Sequence, residues 1–308
     1  MIQFRYSLEK YRGSKSRFIC PNCNKKEFTR YIDNVTKTYL DDVVGKCNRL
    51  EQCGYHYTPK QFFDSNGIKR QLFSYKISPE PPKEVYFFDE SILLQSLHSE
   101  ERKSNLFHFL SQFFNKKDVE STFEKYLIGY SAYWKNSVIF WQIDIENKIR
   151  AGKIMQYDPS SGKRDKRKFC WKKIDDKNKE MQQCFFGVHL LKYFPNYKVG
   201  IVESEKTALI CDLYFDDEIV WLASGGLKGL NENKFKDLVG KKVILFPDLS
   251  SKNSKENAFD SWKSKADFFA NRFKIDLEIN NYLELFASDL DRENQEDLGD
   301  FILRNIVK

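Results

Sequence analysis

Two carboxylates in the C-terminal third of the chain stand directly behind apolar runs. Glu203 follows "KVGIV", and Asp248 lies two residues past "KVILF". Gly, Asn or Ser would satisfy a turn at such a place, so an acid there needs a reason. One reason is local, because an acid can cap the helix that follows a strand. The other concerns the sheet as a whole. In a parallel α/β sheet, ligands bind beyond the carboxyl ends of the strands. Two carboxylates brought to that edge repel each other, which favours a divalent cation such as Mg²⁺ that could also meet phosphate oxygens.

A second group has metal-ligand spacing. Cys20-x2-Cys23 and Cys47-x5-Cys53 are two cysteine pairs, and His56 follows the second as an alternative ligand to Cys53. Four thiolates brought together across a hairpin suit structural, tetrahedral zinc. A deaminase-type catalytic zinc needs an H-x-E element ahead of its cysteines, and no histidine precedes Cys20. Cys170, Cys184 and Cys211 sit in apolar contexts and read as reduced core residues. One metal site and three buried thiols fit a reducing compartment. "ASGGLKGLN" lacks the G-K-[ST] ending of a P-loop, which argues against triphosphate hydrolysis of that kind.

The elements that must position these residues follow from pattern. Residues 1–65 are short polar and aromatic runs and read as a small β-rich module; residues 66–85, with Pro79, Pro81 and Pro82, read as a linker. From Asp89, two apolar clusters separated by Ser99–Ser104 predict two amphipathic helices capped by Ser91 and Ser104, with a third from Asp118. Val138–Ile145 and Ile149–Tyr157 flank "ENK" and predict a hairpin, with residues 161–180 as a loop or strand edge on the same sheet. Beyond Lys192, short apolar strands alternate with helices, the pattern of a mostly parallel sheet. The expectation is an α+β multidomain chain: a zinc module over 1–65, a linker over 66–85, a helical and β-hairpin lobe over 86–191, and an α/β domain over 192–308.

Charge narrows the partners. The chain of 308 residues carries a formal net charge of +7. Residues 1–60 hold 12 Lys and Arg against 6 Asp and Glu, and residues 161–180 hold 9 against 4. Basic segments interleaved with aromatics suit single-stranded nucleic acid, where cations meet phosphates and rings meet bases. The candidate contacts are Arg12, Lys15, Arg17, Lys25, Lys26, Arg30 and Tyr31 in the first segment, and Lys163, Arg164, Lys166, Arg167 and Lys168 in the second. No run of about 18 apolar residues predicts a membrane span, and the charged N-terminus lacks the apolar core of a signal peptide. A cytoplasmic location is expected.

Several of these stretches, taken in order, resemble one family. "VESEKTALI" resembles the E-G-E-K-T-A element of Toprim domains in plasmid and phage primases. "LFPDLS" stands where that family has D-x-D, and "QEDLGDFIL" resembles its closing acidic D-x-x-D segment. The four-cysteine module is similar to the zinc ribbon of bacterial DNA primases, and "YLIGYSAYWKNSVIFWQIDIENKIRAGK" resembles the lobe ahead of Toprim in those enzymes. The resemblance implies a primase-like Toprim protein of a mobile element, with single-stranded DNA as template and metal-dependent RNA primer synthesis as activity. A replicative helicase or other mobile-element replication protein is the implied partner. It places the acid/base role on Glu203 and Mg²⁺ or Mn²⁺ on Glu203, Asp248, Asp297 and Asp300. Ser204 replaces the usual glycine, and Ser250 replaces the second aspartate of D-x-D. A DNA-binding accessory protein with a decayed centre is the rival reading.

Overall fold

The computed structural model describes residues 4–49, 52–67, 83–97, 104–174, 176, 178–215, 218–254 and 257–306. Most of the expected linker and of the polar separator Ser99–Ser104 lies outside these residues. The chain divides into two compact units, Met1–Pro82 and Lys83–Lys308.

In the first unit, β1 (Tyr6–Leu8), β2 (Phe28–Asp33), β3 (Gly45–Cys47) and β4 (His56–Tyr57) form one antiparallel sheet in sequence order. The strands are too short to bury a large core; among the described residues its buried apolar cluster is Cys20, Phe28 and Cys47, with Val44 buried beside the sheet. The sheet is followed by α1 (Pro59–Ser65), which starts with a capping box: Thr58 and Gln61 satisfy each other's backbone N–H groups, and Pro59 takes the first turn.

The second unit begins with β5 (Glu84–Val85), α2 (Glu90–Leu97), α3 (Asn105–Leu110) and α4 (Lys116–Lys125). Ser104 caps α3 as expected, accepting from the Phe107 N–H. Ser91 does not cap α2. It lies inside that helix and donates its N–H to Asp89, the residue better suited to the helix's positive end. The third helix starts at Lys116, capped by Asn115, slightly ahead of the expected Asp118.

Four strands follow: β6 (Gly129–Ser131), β7 (Ser137–Ile143), β8 (Ile149–Tyr157) and β9 (Arg164–Lys172). They form an antiparallel sheet in that order. β7 and β8 are the expected hairpin, and the basic segment is its edge strand, paired to β8. Both faces of β7 and β8 are covered. Ile139, Trp141 and Ile154 pack toward α2, while Val138, Phe140, Met155 and Tyr157 belong to the main core.

After the short β10 (Lys179–Glu180) come β11 (Lys198–Val202), α5 (Glu205–Tyr214), β12 (Ile219–Ala223), α6 (Glu232–Phe235), β13 (Lys242–Leu245), α7 (Ala258–Phe273) and β14 (Asp276–Ile279). The four strands are all parallel, in the order β12-β11-β13-β14. Val199, Ile201, Val220, Leu222, Val243 and Leu245 are buried on one face, and Gly200, Val202, Trp221 and Ala223 on the other, as strands covered on both faces require. Three short helices close the unit: α8 (Tyr282–Phe286), α9 (Asp289–Asn294) and α10 (Leu298–Ile306). The boundary expected at 191/192 falls between the two four-stranded sheets of this unit, and one apolar core runs through both. No helix among the described residues is long and apolar enough to cross a membrane.

Candidate metal centre and acidic edge

The four cysteines of the first unit converge. Cys20 Sγ lies 3.7 Å from Cys53 Sγ, and Cys23 Sγ lies 3.9 Å from Cys47 Sγ, with all four sulfurs within 4.8 Å of one another. Zinc–sulfur bonds of about 2.3 Å in a tetrahedron place sulfurs about 3.8 Å apart, so the donor set fits structural zinc. Each pair is carried by a turn that needs a left-handed residue. Asn24 has φ 53° after the first pair, with its N–H on the Cys20 carbonyl; Gly54 has φ 65° after the second. That second turn accommodates the wide spacing, with the Cys53 and Gly54 N–H groups both on the Arg49 carbonyl. The Cys53 thiol is pulled down to about 6, first by the Asn22 amide and then by a backbone N–H. Burial pushes the Cys47 thiol up to about 12. His56 is not in the cluster; its Nε2 is 2.9 Å from the Tyr31 hydroxyl and its ring is stacked on that of Tyr31.

Around this cluster the basic candidates separate. Arg17 and Lys26 line a groove of about 490 Å³ together with Tyr11, Ser14, Glu27 and Asn48, and the Arg17 guanidinium lies 4.6 Å from the Tyr11 ring centre. Arg12, Lys15 and Lys25 are exposed. Arg30 is engaged within the unit, 3.9 Å over the Phe18 ring and paired with Asp42 at 2.8 Å. Tyr11 was not singled out by sequence, although an exposed ring beside a cation-rich turn was a signal for it.

In the second unit, Glu203 directly follows the last paired residue of β11, and Asp248 follows β13, the neighbouring strand. Both therefore stand at the carboxyl edge of the parallel sheet. Glu203 is buried, and its Oε1 accepts from the Asp248 N–H at 3.4 Å. Burial, with a further push from Asp297, raises its carboxyl to about 7; the Asp248 N–H and Lys265 pull the other way. Asp248 is half-buried and is held well above the ordinary carboxylate range, first by lost solvation and then by Glu203, Asp297 and Asp300.

The C-terminal acids reach the same edge through α10. The Leu249 N–H bonds the Glu296 carbonyl at 3.1 Å, tying the Asp248 loop to this segment. Asp297 and Asp300 cap each other's backbone at the start of α10, and Asp297 Oδ2 accepts from Thr207 Oγ1 at 2.7 Å. Thr207 is in turn 2.7 Å from Ser204 Oγ, the N-cap of α5. The serine in the glycine's place thus supplies a cap that a glycine lacks. Ser250 has a comparable task, accepting from the Ala258 N–H at the start of α7 at 2.8 Å.

Hard carboxylate oxygens are the donors Mg²⁺ or Mn²⁺ takes, but their arrangement does not make a ready site. Among the described residues, the four cysteines are the only group of three or more ligating side chains whose donor atoms come within 4.8 Å of one another. The four acids share their edge with Lys206, whose Nζ lies 3.5 Å from Asp300 Oδ1. Glu203, Asp248, Asp297 and Asp300 are brought together electrostatically; they are not assembled around an ion.

Two further charges were not anticipated. Lys153, in the middle of β8, is buried and reaches Glu205 with bonds of 2.8 and 2.9 Å to its two oxygens. Lys234, also buried, donates to the Ser224 carbonyl at 2.7 Å, and burial lowers its ammonium to about 8. The signal for Lys153 was parity: it alternates with Ala151, Met155 and Tyr157 on a core-facing row. The "SGG" turn lies beside them. Gly225 and Gly226 have φ 87° and 131°, and the Gly225 N–H donates to the Glu203 carbonyl at 2.9 Å.

On β9, Arg164 stands opposite Tyr157; Lys163 just ahead of the strand and Lys166 and Arg167 along it are exposed, and Lys168 is half-buried. Asp165 lies 3.8 Å from Arg167 and 3.7 Å from Lys168. Phe169 is exposed on the same strand, with Lys153 Nζ 5.7 Å from its ring centre.

Residues 104–249 match a domain family of unknown function, DUF6371. Residues 4–68 match a zinc beta-ribbon finger family, which agrees with the four-cysteine geometry. No curated protein matches the sequence. Among solved structures, the DnaG primase catalytic domain bound to ssDNA is similar at 10% identity and a TM-score of 0.40, over 70% of this chain and 80% of that one. The zinc-binding and RNA polymerase domains of the Aquifex aeolicus primase are similar at 14% identity and a TM-score of 0.40, over 98% and 80%. The primase fragment of the bacteriophage T7 primase-helicase protein is similar at 13% identity and a TM-score of 0.36, over 91% and 98%. These likenesses are distant, and the chain's own residues carry the functional reading.

Proposed function

We propose that the chain is a primase-like Toprim protein that binds single-stranded DNA and supports RNA primer synthesis in the replication of a mobile element. One observation carries the reading: Glu203 and Asp248 end neighbouring parallel strands, and α10 brings Asp297 and Asp300 to the same edge. A carboxyl raised to about 7 is suited to exchange a proton near neutral pH, the task of an acid/base group at a phosphoryl centre. The zinc module presents Tyr11, Arg17 and Lys26 to a strand, and β9 offers a second basic edge.

The test is template-directed primer synthesis on single-stranded DNA in Mg²⁺ or Mn²⁺, comparing the wild type with Glu203→Gln. Template-dependent product from the wild type that Glu203→Gln abolishes supports the reading. Equal background from both overturns it.

A second reading has its own support. Ser250 is occupied with capping α7, and Lys206 stands among the acids. These features favour a DNA-binding accessory protein whose centre no longer polymerises. Retained single-stranded DNA binding without primer synthesis would select it.

A further inference from the structure

Lys234 is 1% exposed, and a lysine that deep gives up its hydration. What it meets there is a main-chain carbonyl: its Nζ donates to the Ser224 oxygen at 2.7 Å. That carbonyl belongs to the Ser224–Gly225 peptide, a planar unit whose C=O and N–H point in opposite directions. The N–H of the same peptide is the one that donates to the Glu203 carbonyl at 2.9 Å. One ammonium therefore sets the direction of the donor that grips Glu203. The peptide needs such a hold. Gly225 and Gly226 have φ 87° and 131°, and successive glycines let a peptide plane turn at little cost. On the β13 side of β11 the ladder reaches Ile201, whose carbonyl accepts from the Phe246 N–H. Past that point the main chain is tied from the β12 side, by the Ser224 N–H on Val202 and the Gly225 N–H on Glu203.

We propose that Lys234 is a positioning residue for Glu203. By holding the Ser224 carbonyl it locks the Ser224–Gly225 peptide, and the locked Gly225 N–H keeps Glu203 in place at the end of β11. Without the ammonium, the glycine turn is free to swing its N–H away, and the Glu203 main chain loses its tie to β12. A small drift of a reacting group slows the chemical step and leaves the binding of substrate largely intact. The inference rests on Glu203 being the reacting group of the proposed function.

The test is made on the full chain labelled with ¹³C-carbonyl serine and ¹⁵N-glycine. NMR then reports only glycines that follow a serine, which are Gly162 and Gly225. The Gly162 N–H donates to the Asp158 carbonyl at 2.9 Å, in the turn between β8 and β9, and serves as the internal reference. In Lys234→Met, hydrogen exchange at Gly225 should quicken about tenfold or more while Gly162 keeps its rate. Primer synthesis should lose about tenfold or more in kcat, with KM for nucleotide unchanged. Unchanged exchange at Gly225 overturns the proposal. So does an equal rise at both glycines, because Lys234 would then merely stabilise the fold. Selective exchange with an unchanged kcat overturns the positioning role. Should Lys234→Met not fold, Gly229→Ala decides: a Cβ there overlaps the Ser224 carbonyl oxygen and pushes the same peptide out of place. Exchange at Gly225 that stays at the wild-type rate in Gly229→Ala overturns the proposal. The exchange measurement uses neither template nor nucleotide, so a wild type that makes no primer overturns the proposed function and leaves the lock itself decided by exchange.

Discussion

The zinc module and the acidic edge both concentrate ligating side chains at strand ends, yet they balance charge by different means. In the module, four sulfurs stand within 4.8 Å of one another, with two of the cysteines buried and two partly exposed. At the edge, Glu203 and Asp248 follow neighbouring strands, Asp297 and Asp300 cap each other at the start of α10, and Lys206 pairs with Asp300 at 3.5 Å, while next to them Glu205 is neutralised by Lys153. The difference follows from what each unit has to build with. The N-terminal unit has a buried apolar centre of three residues, two of them cysteines, so a metal must supply the cohesion that packing does not. The second unit has an extended apolar core and can hold charged groups in it, provided each has a partner.

The largest expected effect separates the two. Structural zinc contributes on the order of 10 kcal/mol to small metal-held folds, so chelation or Cys20→Ser should unfold the first unit. Limited proteolysis of the full chain should then cut within residues 4–67 while the second unit's fragment persists. A module that resists protease in excess chelator would show that packing alone holds it.

The next effect lies in the second unit. Lys153→Met leaves Glu205, which is 1% exposed, without its partner. Removing one member of a buried pair typically costs about 3–5 kcal/mol, readable as a lower urea midpoint. Replacing both, as Lys153→Met with Glu205→Leu, should restore most of the loss. If the double variant is as unstable as the single one, the pair is held by more than its own charges.

A pH titration sharpens the contrast further. Glu203 has its carboxyl raised from 4.5 to about 7 in the folded chain. Between those values the folded state binds the proton and the unfolded state has lost it, so stability falls as pH rises from about 4.5 to 7. The shift corresponds to about 3 kcal/mol. Glu203→Gln should flatten that part of the stability–pH curve, and an unchanged slope would place the titration elsewhere.

What the sequence made legible was governed by local pattern. The cysteine spacing, the hairpin from Ser137 to Tyr157 and the parallel strands behind Lys198 all follow from spacing or alternation within short windows. Glu203 and Asp248 were visible because each interrupts the chain at the end of an apolar run. Lys206, by contrast, looked like an ordinary residue of an exposed first turn. Only the return of α10 to the same edge, about 90 residues later, gives it Asp300 as a partner and Thr207 the carboxylate of Asp297. Lys153 was hidden for the same reason, since its partner Glu205 is 52 positions away. Ser91 was misassigned as a cap because Asp89, two residues earlier, already takes that task by accepting the Ser91 N–H, which places Ser91 inside the helix. Contacts between distant segments are what short-range pattern leaves out.

The smallest expected effect concerns the surface that the zinc module holds in place. If the groove along Tyr11, Arg17 and Lys26 receives a strand, its members should fail in different ways. Tyr11→Ala removes a ring that is 68% exposed, and stacking on such a ring is worth about 1–3 kcal/mol per base. Binding of a short oligonucleotide should weaken by that amount with little change in its dependence on salt. Lys26→Ala removes a cation and should instead lower the slope of log K against log salt by about 0.7, the share of one single-strand phosphate contact. Arg30→Ala should do neither directly, because Arg30 is already held by Phe18 and Asp42; its loss should appear first as a lower melting temperature. Fluorescence anisotropy at three salt concentrations distinguishes the patterns. Equal, salt-independent losses from all three variants would mean that each acts by loosening the module, and that the groove itself does not bind the strand.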